Sequence, residues 1–323
     1  MRLGFLGTGW IGRHRMAAMA ATGLAEIVAV AEPDEPAAAE ALKLAPGAAR
    51  VAGLEALLAT GCDAVVIATP SAAHAEQSIS ALKAGKAVFC QKPLGRTAAE
   101  VSAVVEAARE ADRLLGVDLS YRHTAAMEAI RPLMAGGALG HVFGVDLTFH
   151  NAYGPDKSWF YDPALSGGGC VVDLGVHLID LALWSLGWPA VERVESRLYA
   201  KGAPLAGGVC EDYAVATLDL AGGTVVRLAC SWGLQAGRDA VIAAEFHGTE
   251  GGASLRNVDG SFYDLRAERH LHTRAEPLAE PPDDWGGRAA VDWLTRLASG
   301  ARFDPEAAHL VTVAGAIDAI YGR

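Results

Sequence analysis

Short apolar runs alternate with longer alanine-rich segments over the first 120 residues. The runs are nearly continuous in Val, Ile, Leu and Ala, a pattern typical of strands that are buried on both faces. Because the segments between them have helical length and composition, the pattern predicts an α/β domain with a doubly wound parallel sheet. The predicted strands are Leu3–Leu6, Ile27–Ala31, Ala64–Ala68, Ala87–Cys90 and Leu114–Leu119, and the predicted helices include Pro36–Leu44, Ala72–Ala84 and Thr97–Ala111.

The pattern changes after about residue 120. Strand-like segments now follow one another with glycine-rich turns between several of them, which predicts an α+β domain with an open, mainly antiparallel sheet. One helix is expected at about Gly169–Gly187 and another at Pro305–Tyr321, while the proline-rich stretch Glu276–Asp284 is expected to be an extended connector. The predicted strands are Val142–Phe149, Val191–Tyr199, Tyr213–Leu220, Thr224–Ser231 and Val241–Phe246.

The chain is therefore expected to form two domains, residues 1–120 and residues 121–323, each long enough to bury its own core. The C-terminal helix, 305–321, is expected to be able to pack back on the first domain. No uninterrupted apolar stretch reaches the roughly 18 residues of a spanning helix, so no membrane segment is expected. The N-terminus runs directly into a predicted strand, so no secretion signal is expected.

Charge and cysteine content narrow the classes of partner. The net charge of −11 argues against a nucleic-acid surface, which needs clustered Lys and Arg. The five cysteines are odd in number, far apart in the chain and free of CxxC pairs. They therefore suggest neither a disulfide framework nor a metal site, and a reducing cytoplasm fits them best.

The strongest motif is the turn Gly7-Thr8-Gly9-Trp10-Ile11-Gly12, which follows a predicted strand and opens a predicted helix. In such a turn the first glycine permits a tight bend, the second lets the backbone approach a pyrophosphate, and the third allows close packing of helix and sheet. The helix N-terminus offers N–H groups and partial positive charge to phosphates. Arg13 and Arg15 are close enough in sequence to bind phosphate as well, or to face solvent.

An acidic residue, Glu32, ends the second predicted strand 20 residues after Gly12. Its carboxylate can accept hydrogen bonds from the ribose diol of a dinucleotide and would repel a 2′-phosphate. The sequence therefore predicts a nicotinamide dinucleotide as cofactor and favours NAD over NADP.

Two further segments carry candidate chemistry. Lys92 follows a predicted parallel strand, at the edge of the sheet where ligands bind, and Pro93 gives it an extended or turn conformation. In the predicted helix at 169–187, Asp173, His177 and Asp180 have the spacing of one helical face. Ionisable groups in an apolar helix are either hydrogen-bonded in a core or functional, and the spacing leaves both interpretations open.

Taken together, these motifs resemble the Gfo/Idh/MocA oxidoreductases, a family named for glucose-fructose oxidoreductase and inositol dehydrogenase. Three blocks match in order: the glycine turn; Thr69-Pro70 with His74, leading to Lys92-Pro93; and Gly167–Asp180, with Trp159 and Asp162 just upstream.

The resemblance implies a Rossmann domain, an open α+β domain and an active site between them. It implies that Lys92, Asp173 and His177 are the catalytic group. The residues expected to contact the cofactor are Gly7, Thr8, Gly9, Trp10, Ile11, Gly12, Glu32, Thr69, Pro70, His74, Gln91 and Lys92.

Two positions depart from the family pattern. The family usually has Glu before the Lys-Pro pair, where this chain has Gln91, and commonly has Asn after Thr-Pro, where this chain has Ser71. Loss of the carboxylate at position 91 would leave Lys92 less stabilised as a cation if the two side chains are close. Neither departure removes a catalytic group.

The first functional hypothesis is reversible, NAD-dependent oxidation of a secondary alcohol on a sugar, cyclic polyol or related compound. His177 would act as general base, Asp173 would orient the hydroxyl or the imidazolium, and Lys92 would stabilise negative charge on the reacting oxygen. Arg122, His150 and Trp159 are weaker candidates for substrate contact. An open sheet face favours self-association, as a dimer or tetramer.

Two other hypotheses use the same fold. An NAD-dependent glycosidase would oxidise a sugar transiently and release an aglycone without net NADH. A non-catalytic NAD-sensing regulator would bind NAD tightly and turn over no sugar or polyol.

Overall fold

The computed structural model describes all 323 residues and divides the chain into two compact units. The first unit contains Met1–Asp118 and Gly286–Thr312, and the second contains Leu119–Trp285 and Val313–Arg323. The division after residue 118 lies close to the predicted one after residue 120. The predicted single division does not include the return of residues 286–312 to the first unit.

The first unit is built on a six-stranded sheet in which every strand pairing is parallel, as the buried apolar runs predict. The strand order is 3-2-1-4-5-6, so the ends of strands 1, 4, 5 and 6 lie side by side. Its elements are β1 (Arg2–Leu6), α1 (Trp10–Ala21), β2 (Glu26–Ala31), α2 (Glu35–Leu44), β3 (Ala49–Arg50), α3 (Leu54–Leu58), β4 (Ala64–Ile67), α4 (Ser71–Lys83), β5 (Ala87–Cys90), α5 (Ala98–Ala111) and β6 (Leu115–Val117).

The second unit holds a nine-stranded sheet in the order 15-14-13-12-7-11-10-8-9, in which one pairing, that of strands 7 and 11, is parallel and the others are antiparallel. The predicted α+β domain with a mainly antiparallel sheet is therefore confirmed. Its elements are α6 (Ala125–Ala135), β7 (Val142–Asn151), α7 (Pro163–Ser166), a π-helical turn (Val171–Gly175), α8 (Val176–Ser185), β8 (Val191–Ala200), β9 (Ala203–Pro204), β10 (Tyr213–Leu220), β11 (Val225–Ser231), β12 (Ala240–Gly248), β13 (Gly252–Asn257), β14 (Leu265–Leu271) and β15 (Arg274–Ala279).

Alternation along the central strands β10 and β12 buries one face of the sheet. In β10 the side chains from Ala214 to Leu220 are buried at every second position, and the intervening side chains are partly exposed. The buried face of β7 and β11 packs against α8, which is apolar on nearly all sides. This packing places the predicted helix of the second unit in the core of that unit.

One helical stretch, Pro163–Ser185, has the length and apolar composition that crossing a membrane requires. In this protein 83% of the most apolar part of that stretch is buried among other residues. A buried core helix passes the same test of length and composition, so the stretch is weak support for a membrane segment.

The prediction of an extended connector at Glu276–Asp284 is only partly correct. Arg274–Ala279 forms β15, so the expectation of an extended connector beginning at Glu276 was wrong for its first residues. The strand lies at the edge of the sheet, where Pro277 can be accommodated because an edge strand needs hydrogen bonds on one side only.

The chain ends in two helices, α9 (Arg288–Ala298) and α10 (Ala308–Tyr321), with a short 3₁₀ turn (Pro305–Ala307) before the second. The first of these was not predicted, and it packs into the core of the first unit. Most of α10, from Val313, belongs to the second unit, where Ser196 Oγ donates to the carbonyl oxygen of Ile320 at 2.6 Å.

The contact of α9 with the parallel sheet gives a test of the fold. A Cβ atom at Gly116 in β6 would lie 2.4 Å from Cδ1 of Trp293, which also packs on Phe89. Gly116→Ala is therefore expected to destabilise the protein by about 1–3 kcal/mol, because the close-packed rings have no room to move. The measurement is the midpoint of thermal unfolding.

Gly47→Ala is the matched control, since no atom lies within 4 Å of its Cβ position. Equal melting temperatures for the two variants would contradict the described packing of α9.

Candidate functional site

The glycine turn of the first unit is fixed by close backbone contacts. Gly7 has a φ of +85°, and a Cβ atom there would lie 2.5 Å from the carbonyl oxygen of Ala68. A Cβ atom at Gly12 would lie 2.5 Å from the carbonyl oxygen of Gly7. Both positions therefore require glycine, and the beginning of α1 lies directly against the loop that follows β4.

The N-terminus of α1 fits a pyrophosphate. Gly9 immediately precedes the helix and no side chain caps its first turn; nothing lies within 4 Å of the Gly9 Cβ position. The first N–H groups of the helix therefore face a space that a phosphate can enter, with the favourable end of the helix dipole. Trp10, the first helical residue, is 61% exposed beside this space.

Glu32 lies at the end of β2, where the turn and the second strand meet. One carboxylate oxygen accepts from the backbone N–H of Thr8 at 2.6 Å, and the other accepts from the backbone N–H of Asp34 at 3.0 Å. These bonds fix the carboxylate beside the glycine turn. The oxygen that accepts from Asp34 retains a lone pair that a ribose hydroxyl can use.

The two arginines of α1 have different surroundings, and Arg15 has neither of the positions considered for it from sequence. Arg13 donates to the carbonyl oxygen of Thr8 at 2.9 Å, within the turn. Arg15 is buried and donates through Nε to Asp118 at 2.5 Å. Its guanidinium therefore neither faces solvent nor extends towards the open end of the helix.

His74 connects the two segments Thr69-Pro70 and Lys92-Pro93. Its ring is buried, with Nε2 at 2.7 Å from the carbonyl oxygen of Thr69 and Nδ1 at 2.6 Å from that of Pro93. Burial lowers the pKa of His74, while the two carbonyl oxygens act in the opposite direction. The histidine thus holds the turn of Lys92, whose bond to Pro93 is cis.

In the second unit, Asp173 and His177 lie on either side of the change from the π-helical turn to α8. The side chain of His177 is buried, and Asp173 is partly exposed. The predicted common face for Asp173 and His177 requires regular α-helical spacing. The wider π turn changes the angular position of Asp173 relative to His177.

A buried carboxylate, Glu211, holds the beginning of this helix. One oxygen accepts from the backbone N–H of Gly169 at 2.9 Å. The other accepts from the N–H of Val171 at 2.9 Å and from the hydroxyl of Tyr321 at 2.7 Å. Burial raises the pKa of Glu211, and these three donors oppose the shift. Sequence patterns gave no sign of Glu211, because its partners lie far from it in the chain.

The glycines at the start of the helix are explained by the same contact. A Cβ atom at Gly169 would lie 1.9 Å from the carbonyl oxygen of Glu211, and one at Gly168 would lie 2.1 Å from the Tyr321 hydroxyl. Glycine at these positions lets Glu211 and α10 approach the backbone that leads to Asp173.

Aromatic side chains that the sequence argument missed surround Asp173 and His177. Trp232, at the end of β11, donates its indole N–H to Asp173 at 3.1 Å. The ring of Tyr121 lies 4.9 Å from that of His177, and Trp285 lies on the same tyrosine. A tryptophan directly after a predicted strand was the one available signal for Trp232.

The other candidate residues of the second unit have different surroundings. Asp180 is buried, and its two carboxylate oxygens accept hydrogen bonds from the guanidinium of Arg122. The guanidinium is therefore held in an ion pair with Asp180. His150 bonds Ser231 and stacks on Tyr213; alternation along β7 places it on the opposite face of the sheet from Phe149. Trp159 stacks on Phe160, whose ring meets the edge of Trp232.

No group of three or more His, Cys, Asp or Glu side chains is arranged to hold a metal ion.

Known protein families match segments of both units. Residues 1–119 match the oxidoreductase family with an NAD-binding Rossmann fold, and residues 127–254 match the GFO/IDH/MocA C-terminal domain. Levoglucosan dehydrogenase from Pseudarthrobacter phenanthrenivorans is 30% identical over 282 residues, which are 78% of this chain and 72% of that enzyme. The chain belongs to the Gfo/Idh/MocA family of oxidoreductases.

Other members of the family are also similar. D-glucoside 3-dehydrogenase from Escherichia coli is 28% identical over 211 residues, which are 62% of this chain and only 60% of that enzyme. A solved structure of levoglucosan dehydrogenase in complex with NADH and levoglucosan has a TM-score of 0.83 at 25% identity. It covers 99% of this chain and 96% of its own. As a family member, the protein is an NAD(P)-dependent enzyme that acts on CH–OH groups.

The Glu211 contacts give a test of how the helix that carries Asp173 and His177 is held. Glu211→Gln is expected to lower the free energy of unfolding by about 1–3 kcal/mol, because the new amide N–H₂ must face at least one N–H or O–H donor. The measurement is urea unfolding followed by tryptophan fluorescence.

Asp212→Asn is the control, because that side chain accepts one hydrogen bond, from the N–H of Lys201, and an amide oxygen can still accept it. A Glu211→Gln variant as stable as Asp212→Asn would contradict the role described for the carboxylate.

Proposed function

We propose that this protein is an NAD-dependent dehydrogenase that transfers hydride between nicotinamide and a secondary alcohol or ketone of a sugar, cyclic polyol or related compound. The observation that carries the proposal is the intact set of Lys92, Asp173 and His177 in a chain of this family. Within the first unit, the buried ring of His74 holds the turn that contains Lys92. Within the second unit, the buried carboxylate of Glu211 holds the start of the helix that carries Asp173 and His177.

Each residue has a role that follows from its chemistry. His177 accepts the hydroxyl proton, since its unperturbed pKa lies nearest neutrality among the side chains. Asp173, held by Trp232, orients the hydroxyl or the imidazolium. Lys92 stabilises negative charge on the reacting oxygen. The nicotinamide, when bound, supplies the redox chemistry.

Two features support a carbohydrate as substrate. The names of both relatives described above denote enzymes of carbohydrates. In this chain Trp159, Phe160 and Trp232 form a series of aromatic rings that leads to Asp173. Apolar ring faces suit the C–H faces of a sugar, and Trp159 stays a candidate for such stacking.

The preference for NAD over NADP rests on Glu32. A fixed carboxylate at the end of β2 suits a ribose diol and opposes a 2′-phosphate by charge repulsion. Arg15 does not offset this charge, because its side chain is buried against Asp118.

We also propose a cytoplasmic location and self-association. All five cysteines are free, and Cys170 and Cys230 remain unbonded with sulfurs 3.8 Å apart, which suits a reducing compartment. The outer face of the nine-stranded sheet carries a groove of about 550 Å³ lined partly by small side chains such as Thr148 and Ala229, a surface suited to a second copy.

Substitution of the catalytic residues tests the reaction. His177→Ala and Lys92→Ala are expected to keep NADH binding and to lose roughly 10²–10⁴-fold in turnover, the usual worth of general acid–base help. Turnover is measured as NADH production on a panel of inositols, aldoses, sugar acids and nucleotide sugars. The same panel, followed for released aglycone, distinguishes dehydrogenation from glycoside cleavage.

His150→Ala is the matched histidine control, because that ring lies on the other face of the sheet, and it should turn over at nearly the wild-type rate. Wild-type turnover by the His177 or Lys92 variant would overturn the proposed roles.

Cofactor preference is tested at Glu32. Glu32→Gly is expected to weaken NADH binding about tenfold or more, since hydrogen bonds to a charged group are lost. The same change is expected to reduce or reverse the ratio of NADH affinity to NADPH affinity. Both dissociation constants are measured by fluorescence titration.

Glu35→Gln, three residues away and strongly exposed, is the control and should leave both constants unchanged. An unchanged NADH to NADPH ratio in Glu32→Gly would remove the basis for the NAD preference.

A further inference from the structure

The first unit contains a buried charge cluster that the roles above do not use. It consists of Arg15 in α1, Gln91 immediately before Lys92, and Asp118 immediately after β6. The side chains of Arg15 and Asp118 are 6% and 1% exposed, and Gln91 is 7% exposed. We name these three residues the Asp118 cluster.

A single atom joins the three residues. Oδ2 of Asp118 accepts from Nε of Arg15 at 2.5 Å and also from the side-chain amide of Gln91. The other oxygen, Oδ1, is buried without a protein hydrogen-bond partner. The backbone beneath is fixed as well, because the N–H of Gln91 donates to Ile67 and that of Asp118 donates to Cys90.

The charges explain why position 91 is an amide in this chain. Asp118 and Arg15 form a neutral pair, and Gln91 adds a donor without adding charge. A glutamate at position 91 would place two carboxylates against one guanidinium. The neutral amide of Gln91 therefore suits the buried carboxylate of Asp118.

The location of the cluster gives it a consequence for the cofactor. Arg15 lies one helical turn beyond Gly12, on the helix whose N-terminus fits the pyrophosphate, and Gln91 is covalently joined to Lys92. A shift of Asp118 would therefore change the distance between the phosphate-binding helix and the turn of Lys92, both within the first unit.

We propose that Asp118 is a positioning residue whose carboxylate, through Arg15 and Gln91, holds helix α1 and the Lys92 turn in the spacing that the dinucleotide requires. The inference rests on the proposed function, because the spacing matters only if a dinucleotide binds there.

The test is a double-mutant cycle of Gln91→Glu, Asp118→Asn and the double variant, with NADH affinity and melting temperature as readouts. Each single variant is expected to weaken NADH binding about tenfold at pH 8, because one places two carboxylates together and the other leaves Arg15 without its counter-charge. The double variant restores one carboxylate and one amide with the positions exchanged. Its affinity should return to within about threefold of wild type, since groups in one network are not additive.

The Gln91→Glu variant adds a pH signature. A second carboxyl beside Asp118 has a raised pKa, and in its protonated form it can donate to Oδ2 as Gln91 does. Its NADH affinity should therefore approach that of wild type at low pH and fall as the pH rises through that raised pKa. The wild-type protein should show no such loss over the same range.

Asp112→Asn, which removes an exposed ion pair with Arg302 just before β6, is the matched control and should bind NADH as wild type does. Changes in melting temperature with unchanged NADH affinity would reduce the cluster to a structural role and overturn the proposal. Additive losses in the double variant would overturn it as well. Failure of the wild-type protein to bind NADH would overturn the proposed function and this inference together, a result distinct from the other two.

Discussion

The backbone of the glycine turn approaches the loop after β4 more closely than any side chain permits, and the rest of the first unit depends on that approach. The Cβ positions of Gly7 and Gly12 lie 2.5 Å from carbonyl oxygens, so a methyl group at either would separate helix and sheet. Because α1 begins this close to the sheet, its first N–H groups open at the carboxyl ends of the strands. A dinucleotide site at this edge is therefore a consequence of steric contact before it is one of charge.

Contacts continue from that loop to the candidate lysine. His74 joins the carbonyl oxygens of Thr69 and Pro93, and the Asp118 cluster joins the Lys92 turn back to α1. The segments that would meet the cofactor are thus joined in a closed series of buried polar contacts. A shift of either segment would leave one of these buried donors or acceptors without its partner, which favours the observed geometry. The position of Lys92 is set by these backbone and side-chain contacts of its neighbours.

Local pattern predicted most strands and the glycine turn, because period and motif depend on residues close together in the chain. β5 and β10 have the predicted bounds, Ala87–Cys90 and Tyr213–Leu220. What could not be predicted depends on distant pairs: Arg15 and Asp118 are 103 positions apart, and Glu211 and Gly169 are 42 apart. Strand alternation also places His150 on the opposite face of the sheet from the buried Phe149, a relation that the apolar pattern alone could have indicated.

The helix of the second unit shows how an apolar core can hold ionisable groups without making all of them functional. Asp180 is neutralised by Arg122, whose guanidinium donates to both carboxylate oxygens. Burial raises the pKa of Asp180 and Arg122 opposes the shift, so removal of the arginine would leave a costly buried charge.

Asp173 and His177, by contrast, lie at the π-helical turn and its junction with α8. A π turn costs hydrogen-bond geometry and is therefore retained mainly where it serves a function. Here Glu211 holds the turn from one end, through the N–H groups of Gly169 and Val171. The neutralised Asp180 at one end of this helix, and the turn held by Glu211 at the other, support the proposed assignment of the chemistry to Asp173 and His177.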